Sequence, residues 1–105
     1  MGGRVQDKVV IVTGGAGGIG SAACRAIAAE GGKVLVADYD AAKARAVADV
    51  ITAHGGTAES VRVDVTDRAQ VQAMIAAAVD AFGELNVIFN NAGMNRPRSS
   101  PRRPP

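Results

Sequence analysis

Thr13-Gly14-Gly15-Ala16-Gly17-Gly18-Ile19-Gly20 holds five glycines in eight residues, and this stretch determines how the surrounding chain is expected to fold. It follows Val9–Val12, a β-branched apolar run typical of a strand that is covered on both faces. It precedes residues 19–30, whose apolar side chains recur with helical spacing. The unpaired N–H groups at such a helix start attract anions, so the loop predicts a phosphate-binding turn.

Each glycine of this loop has an expected task if the turn binds a pyrophosphate. Gly14 permits a tight turn, Gly18 lets the backbone approach the phosphates, and Gly20 lets the helix pack close to the strand. A plain glycine-rich connection between strand and helix is the alternative. The loop residues predicted to contact the ligand are Gly14, Gly17, Gly18, Ile19 and Gly20.

Further apolar runs predict three more strands, at 34–37, at 61–65 and at 87–89. The third alternates valine with polar residues and ends with Asp64 and Val65, which favours a position nearer the sheet edge. Three helices are predicted between the strands, the second capped by Asp40 and the third by Asp67 with Gln70 in a capping box. The first helix is expected to turn Ile19, Ala23 and Ile27 inward, and the second Ala44, Val47, Ala48 and Ile51. The inward residues expected in the third helix are Val71, Met74, Ile75, Ala78, Val79 and Phe82.

The element order is therefore βαβαβαβ. Helical connections of this length join parallel strands through right-handed crossovers. The fold class predicted is α/β, a Rossmann-type doubly wound parallel sheet of about four strands, in the order 3-2-1-4, with three helices.

Asp38 ends the second predicted strand, 18 residues after Gly20. A carboxylate at this place accepts hydrogen bonds from ribose hydroxyls and repels a 2′-phosphate. No Lys or Arg lies within the glycine loop or immediately after Asp38. The expected ligand is a nicotinamide dinucleotide, with NAD preferred over NADP. A solvated aspartate at a strand end is the alternative.

Three motifs together give the chain its family resemblance. The Thr-Gly-x-x-x-Gly-Ile-Gly arrangement at 13–20 resembles the short-chain dehydrogenase/reductase family. The pair Asp64-Val65 and the block Asn90-Asn91-Ala92-Gly93 resemble two further signatures of that family, in the correct order. The resemblance covers roughly residues 5–93.

The resemblance implies roles for residues beyond the loop. Asp64 would contact the adenine amino group with the Val65 backbone beside it, and Asn90 would tie the central sheet together. The ribose and nicotinamide side would be lined by Asn91, Ala92 and Gly93. From the residues alone, Asn90-Asn91 also suits a simple turn.

Catalysis in the resembled family uses a Ser, a Tyr-x-x-x-Lys pair and usually a further Asn, all following the Asn-Asn-Ala-Gly block. We expect no catalytic residue in this chain, because only twelve residues follow Gly93. Tyr39 and Lys43 match the Tyr-x-x-x-Lys string, but they follow Asp38 at the adenosine end and are expected to be surface residues. The chain is expected to be the NAD-binding portion of an oxidoreductase, inactive alone. The alternative is a non-enzymatic NAD-binding or interaction module that a partner completes.

Charge and composition divide the chain in two. Residues 1–93 hold eight Lys and Arg against ten Asp and Glu, whereas residues 94–105 hold four Arg, all four Pro and no acid. We expect 1–93 to form a truncated domain and 94–105 a disordered Arg/Pro-rich tail. The abrupt change indicates a disrupted reading frame. Interaction through a PxxP pattern at 101–104 is the alternative for the tail.

Composition also limits the expected environment and partners. The body is slightly acidic, which argues against nucleic acid, and no apolar run reaches the length of a membrane span. Cys24 is the single cysteine and no signal peptide is evident, so a cytoplasmic location without a metal site is expected. The fourth strand is expected to leave an apolar edge exposed, and the family's usual tetramer is not expected.

Overall fold

A computed structural model of the protein describes residues 6–91, which form four strands and three helices. The strand order β3-β2-β1-β4 with parallel pairing confirms the predicted doubly wound sheet. Residues 94–105, the predicted tail, lie outside the described residues, as do Ala92 and Gly93. The elements are β1 Val9–Thr13, α1 Gly18–Ala29, β2 Lys33–Asp38, α2 Ala41–Ala53, β3 Thr57–Arg62, α3 Arg68–Phe82 and β4 Val87–Asn90.

The sheet is covered on both faces, and β1 lies in its middle with every residue buried. On one face, Val10 and Val12 pack with Val34, Val36 and the inner residues of α1 and α2. On the other face, Ile11 packs with Leu35 and with the inner residues of α3. Burial from both sides explains why β1 and β2 are continuous apolar runs rather than alternating ones.

The predicted position of the third strand was wrong. It was predicted at residues 61–65, but β3 spans Thr57–Arg62 and pairs with β2 along its whole length. Asp64 and Val65 therefore follow the strand instead of ending it. Thr57–Ser60 carries few apolar residues because β3 is the outermost strand on its side among the described residues. The valine alternation marks only the end of the strand, where α3 packs against it.

Two residues predicted on inward helix faces point outward. Ile19 is 60% exposed and Val79 is 43% exposed. In α1 the buried residues are Gly20 and Cys24, one helical repeat apart, so Ile19 lies about 100° around the helix from that face. The remaining predicted inner residues of α2 and α3 are buried or pack partly buried against the core.

Side chains cap the second and third helices as predicted. Asp40 accepts a hydrogen bond from the Lys43 N–H at 3.1 Å. Asp67 accepts from the N–H groups of Ala69 and Gln70. Gln70, however, does not complete the predicted capping box: its Oε1 accepts from the Asp64 N–H at 2.9 Å. The third helix is thereby tied to the turn that precedes it.

The β4 strand pairs only with β1 among the described residues. Its Val87 and Ile88 are 49% and 43% exposed, which agrees with the predicted apolar edge. Within residues 6–91, none of the helices has both the length and the apolar character needed to cross a bilayer.

Candidate functional site

Those predicted site residues that fall within residues 6–91 gather where the strands of the parallel sheet end. The carboxyl ends of β1, β2 and β4 share one edge, and the glycine loop leaves β1 at this edge. Ligands of doubly wound sheets bind at this edge, beside the strand where the chain order reverses. Here the reversal occurs at β1, between β2 and β4, so the loop and Asn91 flank it.

The glycine loop is held by backbone hydrogen bonds. Gly14 has φ 68°, a conformation that glycine adopts without strain, and this turns the chain sharply after β1. The Gly17 N–H donates to the Gly14 carbonyl at 3.1 Å, and the Gly15 N–H donates to the Ala37 carbonyl at 3.0 Å. The second bond fixes the loop against the end of β2.

The start of α1 is open toward this edge. Gly17 is its N-cap and supplies no side-chain hydrogen bond, so the helix start keeps N–H groups for an anion. At Gly20 an added β-carbon would lie 2.9 Å from the Gly15 Cα and 2.8 Å from the Gly14 carbonyl carbon. Only glycine therefore allows α1 to approach the loop this closely. An added β-carbon at Gly18 would meet no atom within 4 Å.

Asp38 joins the end of β2 to the glycine loop. One carboxylate oxygen accepts from the Ala16 N–H at 3.0 Å, and the other accepts from the Asp40 N–H at 2.9 Å. Both bonds hold the carboxylate at the sheet edge, and each oxygen keeps a lone pair for a further donor. The sequence predicted Asp38 at this edge, but it gave no sign of the bond to Ala16.

Thr13 joins the ends of β1 and β4. Its hydroxyl accepts from the Asn91 N–H at 2.9 Å and lies 3.0 Å from the Asn90 Oδ1, to which it donates. The Asn91 side-chain amide donates to the Gly14 carbonyl at 3.3 Å, which brings Asn91 against the loop. Its Oδ1 is buried and accepts no hydrogen bond within residues 6–91. A buried acceptor of this kind fits a donor that comes from outside the described part of the chain.

Asp64 and Val65 lie in the turn between β3 and α3. The Asp64 carboxylate accepts from the N–H and the hydroxyl of Thr66, at 3.0 and 2.6 Å. Val65 packs partly buried against the α3 side of the core. Asp64 thus follows the end of β3, with one carboxylate oxygen accepting hydrogen bonds within its own turn.

The ring of Tyr39 lies under the guanidinium of Arg62, with 4.4 Å between Arg62 Cζ and the ring centroid. This agrees with the expectation that Tyr39 is a surface residue at the Asp38 end of the sheet, and it is 65% exposed. Sequence reasoning did not single out Arg62. The alternation of Val61 and Val63 places the Arg62 side chain on the opposite face of the strand, so this pattern could have identified Arg62.

Cys24 lies beneath the glycine loop, with its Sγ 4.0 Å from the Gly15 carbonyl oxygen. Burial raises the pKa of this thiol from 9.0 to about 12, although the nearby Arg25 opposes the shift. A protonated, buried thiol is a poor nucleophile, so Cys24 has a packing role.

We expect Cys24 to react with a thiol reagent at pH 8 only when the protein unfolds, because the native thiol is buried and protonated. Because the thiol pKa is higher in the folded state, its contribution to stability is complete below pH 9 and is lost as the pH rises toward 12. The measurement is the labelling rate of native protein against protein in urea. Equal rates in the two conditions would contradict the buried position.

Comparison with known proteins extends these observations. The sequence profile described as short chain dehydrogenase matches residues 8–103. The chain is 44% identical over 97 residues to 2,5-dichloro-2,5-cyclohexadiene-1,4-diol dehydrogenase LinX of Sphingobium indicum, covering 92% of this chain and 39% of that protein. It is 43% identical over 91 residues to galactitol 2-dehydrogenase of Agrobacterium fabrum, covering 87% of this chain and 34% of that protein.

A third relative is L-rhamnose 1-dehydrogenase (NAD(P)(+)) of Azotobacter vinelandii, 45% identical over 92 residues, with 84% of this chain and 36% of that protein covered. Among solved structures, hydroxysteroid dehydrogenase from Escherichia coli matches with a TM-score of 0.80 and 32% identity, over 83% of this chain and 37% of that one. The chain thus spans less than two-fifths of the length of these relatives. Because the profile covers most of the chain and the fold agrees, this protein belongs to the short-chain dehydrogenase family.

Proposed function

We propose that the edge formed by the glycine loop, Asp38 and Asn91 binds a nicotinamide dinucleotide, with NAD bound more tightly than NADP. One observation carries this proposal: the Asp38 carboxylate is bonded to the Ala16 N–H of the loop itself. A carboxylate and an open helix start therefore stand side by side. The two groups suit the two parts of a dinucleotide, since the helix start binds the pyrophosphate and the carboxylate binds the ribose hydroxyls.

The residues present fit this cofactor at each part of the edge. The uncapped start of α1 suits the pyrophosphate, and the fixed oxygens of Asp38 suit the adenosine ribose hydroxyls. The buried Oδ1 of Asn91 is an acceptor beside Gly14, toward the centre of the sheet. When bound, the nicotinamide ring supplies the carbon that accepts or donates a hydride.

The preference for NAD rests on charge. A 2′-phosphate would replace the ribose hydroxyl that donates a hydrogen bond to Asp38. Two negative groups would then lie in contact. The two backbone N–H groups that hold Asp38 in place prevent its carboxylate from turning away freely. NADP binding is therefore weakened without being abolished.

We extend to this chain the reaction class of the three relatives compared above, each of which is named a dehydrogenase, and no particular substrate. The residues described here supply cofactor binding in that reaction. We do not assign acid–base chemistry to Tyr39 and Lys43, since Tyr39 is engaged by Arg62 at the Asp38 end of the sheet.

Replacing Asp38 with asparagine is expected to weaken NADH binding about tenfold, because hydrogen bonds to a charged acceptor contribute about 1.5–3 kcal/mol. The same change removes the repulsion of a 2′-phosphate, so NADPH binding is expected to hold or to strengthen. Titration calorimetry with each cofactor measures both effects.

Asp40→Asn is the matched control, because it makes the same chemical change two residues away, at a helix cap that asparagine also serves well. It is expected to leave the ratio of the two dissociation constants unchanged. If both variants shift the ratio equally, Asp38 has no special part in the preference. If the folded native chain binds neither cofactor, the proposed function is wrong.

A further inference from the structure

Arg62 is a cation at the adenosine end of the candidate site that the proposed function leaves without a task. It is the last residue of β3 and is exposed, and its guanidinium stacks on the ring of Tyr39. A cation–π contact at such an exposed position is weak, so a stronger anionic partner can draw the guanidinium away. Arg62 is therefore held near the sheet edge without being committed to a buried contact.

The strand register places Arg62 directly beside Asp38. The two residues are Cα partners in the parallel pairing of β2 and β3, which puts their backbones about 4.8 Å apart. The preceding residues, Ala37 and Val61, both pack on the α3 face of the sheet. Since side chains alternate along a strand, Asp38 and Arg62 both point to the opposite face, where α1 begins.

We propose that Arg62 binds the 2′-phosphate of NADP, and that the adenosine site therefore accepts both cofactors while still preferring NAD. This inference rests on the proposed function, because it needs the adenosine ribose at Asp38. Because Asp38 and Arg62 are paired residues whose side chains point to the same face, a phosphate on a ribose held at Asp38 would be within reach of the Arg62 side chain. A planar guanidinium pairs with phosphate through two hydrogen bonds.

Asp38 and Arg62 then act against each other on the same phosphate. The carboxylate is fixed by the N–H groups of Ala16 and Asp40, so its repulsion persists and NAD remains the tighter ligand. The guanidinium offsets part of that repulsion. In the absence of the phosphate, Tyr39 keeps the guanidinium beside the site, which limits the conformational freedom lost when it binds.

The test compares dissociation constants for NADH and NADPH in the native chain and in the variants R62Q, R62K and R25Q. R62Q is expected to weaken NADPH binding about fivefold, while NADH binding changes by less than about twofold. R62K keeps the charge without the planar fork and is expected to lie between R62Q and the native chain. The difference in NADPH dissociation constant between R62Q and the native chain is expected to become smaller in high salt, because salt screens exposed charges.

Arg25→Gln is the matched control. Arg25 is an exposed arginine of α1. It lines a groove together with His54, which follows α2, and Gly56, which precedes β3. It is therefore remote from the carboxyl ends of the strands, and R25Q is expected to leave both constants unchanged.

Two results would overturn the inference, and they differ from each other. If NADH binds but R62Q leaves the NADPH to NADH ratio at its native value, Arg62 does not bind the phosphate and the proposed function stands. If the folded native chain binds neither cofactor, both the proposed function and this inference fail. Circular dichroism of each variant establishes that the chain is folded. If R62Q does not fold, the NADPH to NADH ratio of R62K is compared with the native ratio instead.

Discussion

Replacing Gly20 with alanine is expected to lower the free energy of unfolding by about 3 kcal/mol, near the upper end of what overpacking usually costs. The added β-carbon would stand within 3 Å of the backbone of both Gly14 and Gly15. Backbone atoms cannot rotate away as the end of a side chain can, so α1 must shift from the loop. Urea denaturation followed by circular dichroism measures the loss.

The same substitution at Gly18 is expected to change the free energy of unfolding by less than about 0.5 kcal/mol, since the new β-carbon meets open space. Gly18 is the first residue of α1, at the mouth of the phosphate loop. Under the proposed function a β-carbon there obstructs the pyrophosphate. Gly18→Ala is therefore expected to fold normally and to lose most of its NADH affinity.

These two variants separate the two tasks of the loop. Gly20 serves the packing of the helix, and Gly18 serves the ligand. Equal destabilisation by the two substitutions would contradict the close approach of α1 at Gly20. If the Gly18→Ala chain binds NADH as tightly as the native chain, the pyrophosphate does not bind at this helix start.

Thr13→Val is expected to destabilise the protein by about 2 kcal/mol, because it removes the two hydrogen bonds by which the Thr13 hydroxyl joins β1 to β4. Valine keeps the shape of threonine and removes the oxygen that accepts from Asn91 and donates to Asn90. The Asn91 N–H then keeps the Phe89 carbonyl oxygen, 3.1 Å away, as its acceptor within residues 6–91. The midpoint of urea unfolding is expected to fall while its slope stays unchanged.

Thr52→Val is the control for this substitution. The Thr52 hydroxyl donates to the Ala48 carbonyl at 2.9 Å, within α2. That carbonyl keeps its helical hydrogen bond when the hydroxyl is lost, so the change is expected to stay within about 0.5 kcal/mol. A loss at Thr52 as large as that at Thr13 would show that the hydroxyl between β1 and β4 has no special importance.

Much of the fold could be predicted from local patterns. The apolar runs at Val9–Val12 and 34–37 mark the central strands because both faces are buried, and helical connections require parallel pairing. The start of β3 could not be predicted, since Thr57–Ser60 has little apolar character of its own. Its strand conformation comes from pairing with β2.

The candidate site divides in the same way. The glycine spacing and the position of Asp38 predicted the loop and the carboxylate. The bond between Asp38 and Ala16, and the stacking of Arg62 on Tyr39, depend on which strands are neighbours and in what register. Such contacts join residues that are distant in sequence, and no local pattern signals them. Ile19 was misplaced because Gly20 and Cys24, rather than Ile19, face the core in α1, and the small size of glycine is what permits this close approach.

The central position of β1 also governs how the chain reaches its folded state. The β1 strand pairs on one side with β2, which follows soon after it, and on the other with β4, where the partners Val9 and Asn86 are 77 residues apart. Closing so long a loop carries a large entropic cost before any contact compensates it, and pairings of this kind slow folding. On a ribosome, the first strand must wait for the fourth to be synthesised. The edge where Thr13 meets Asn91 therefore cannot form until nearly all of the described chain has been made.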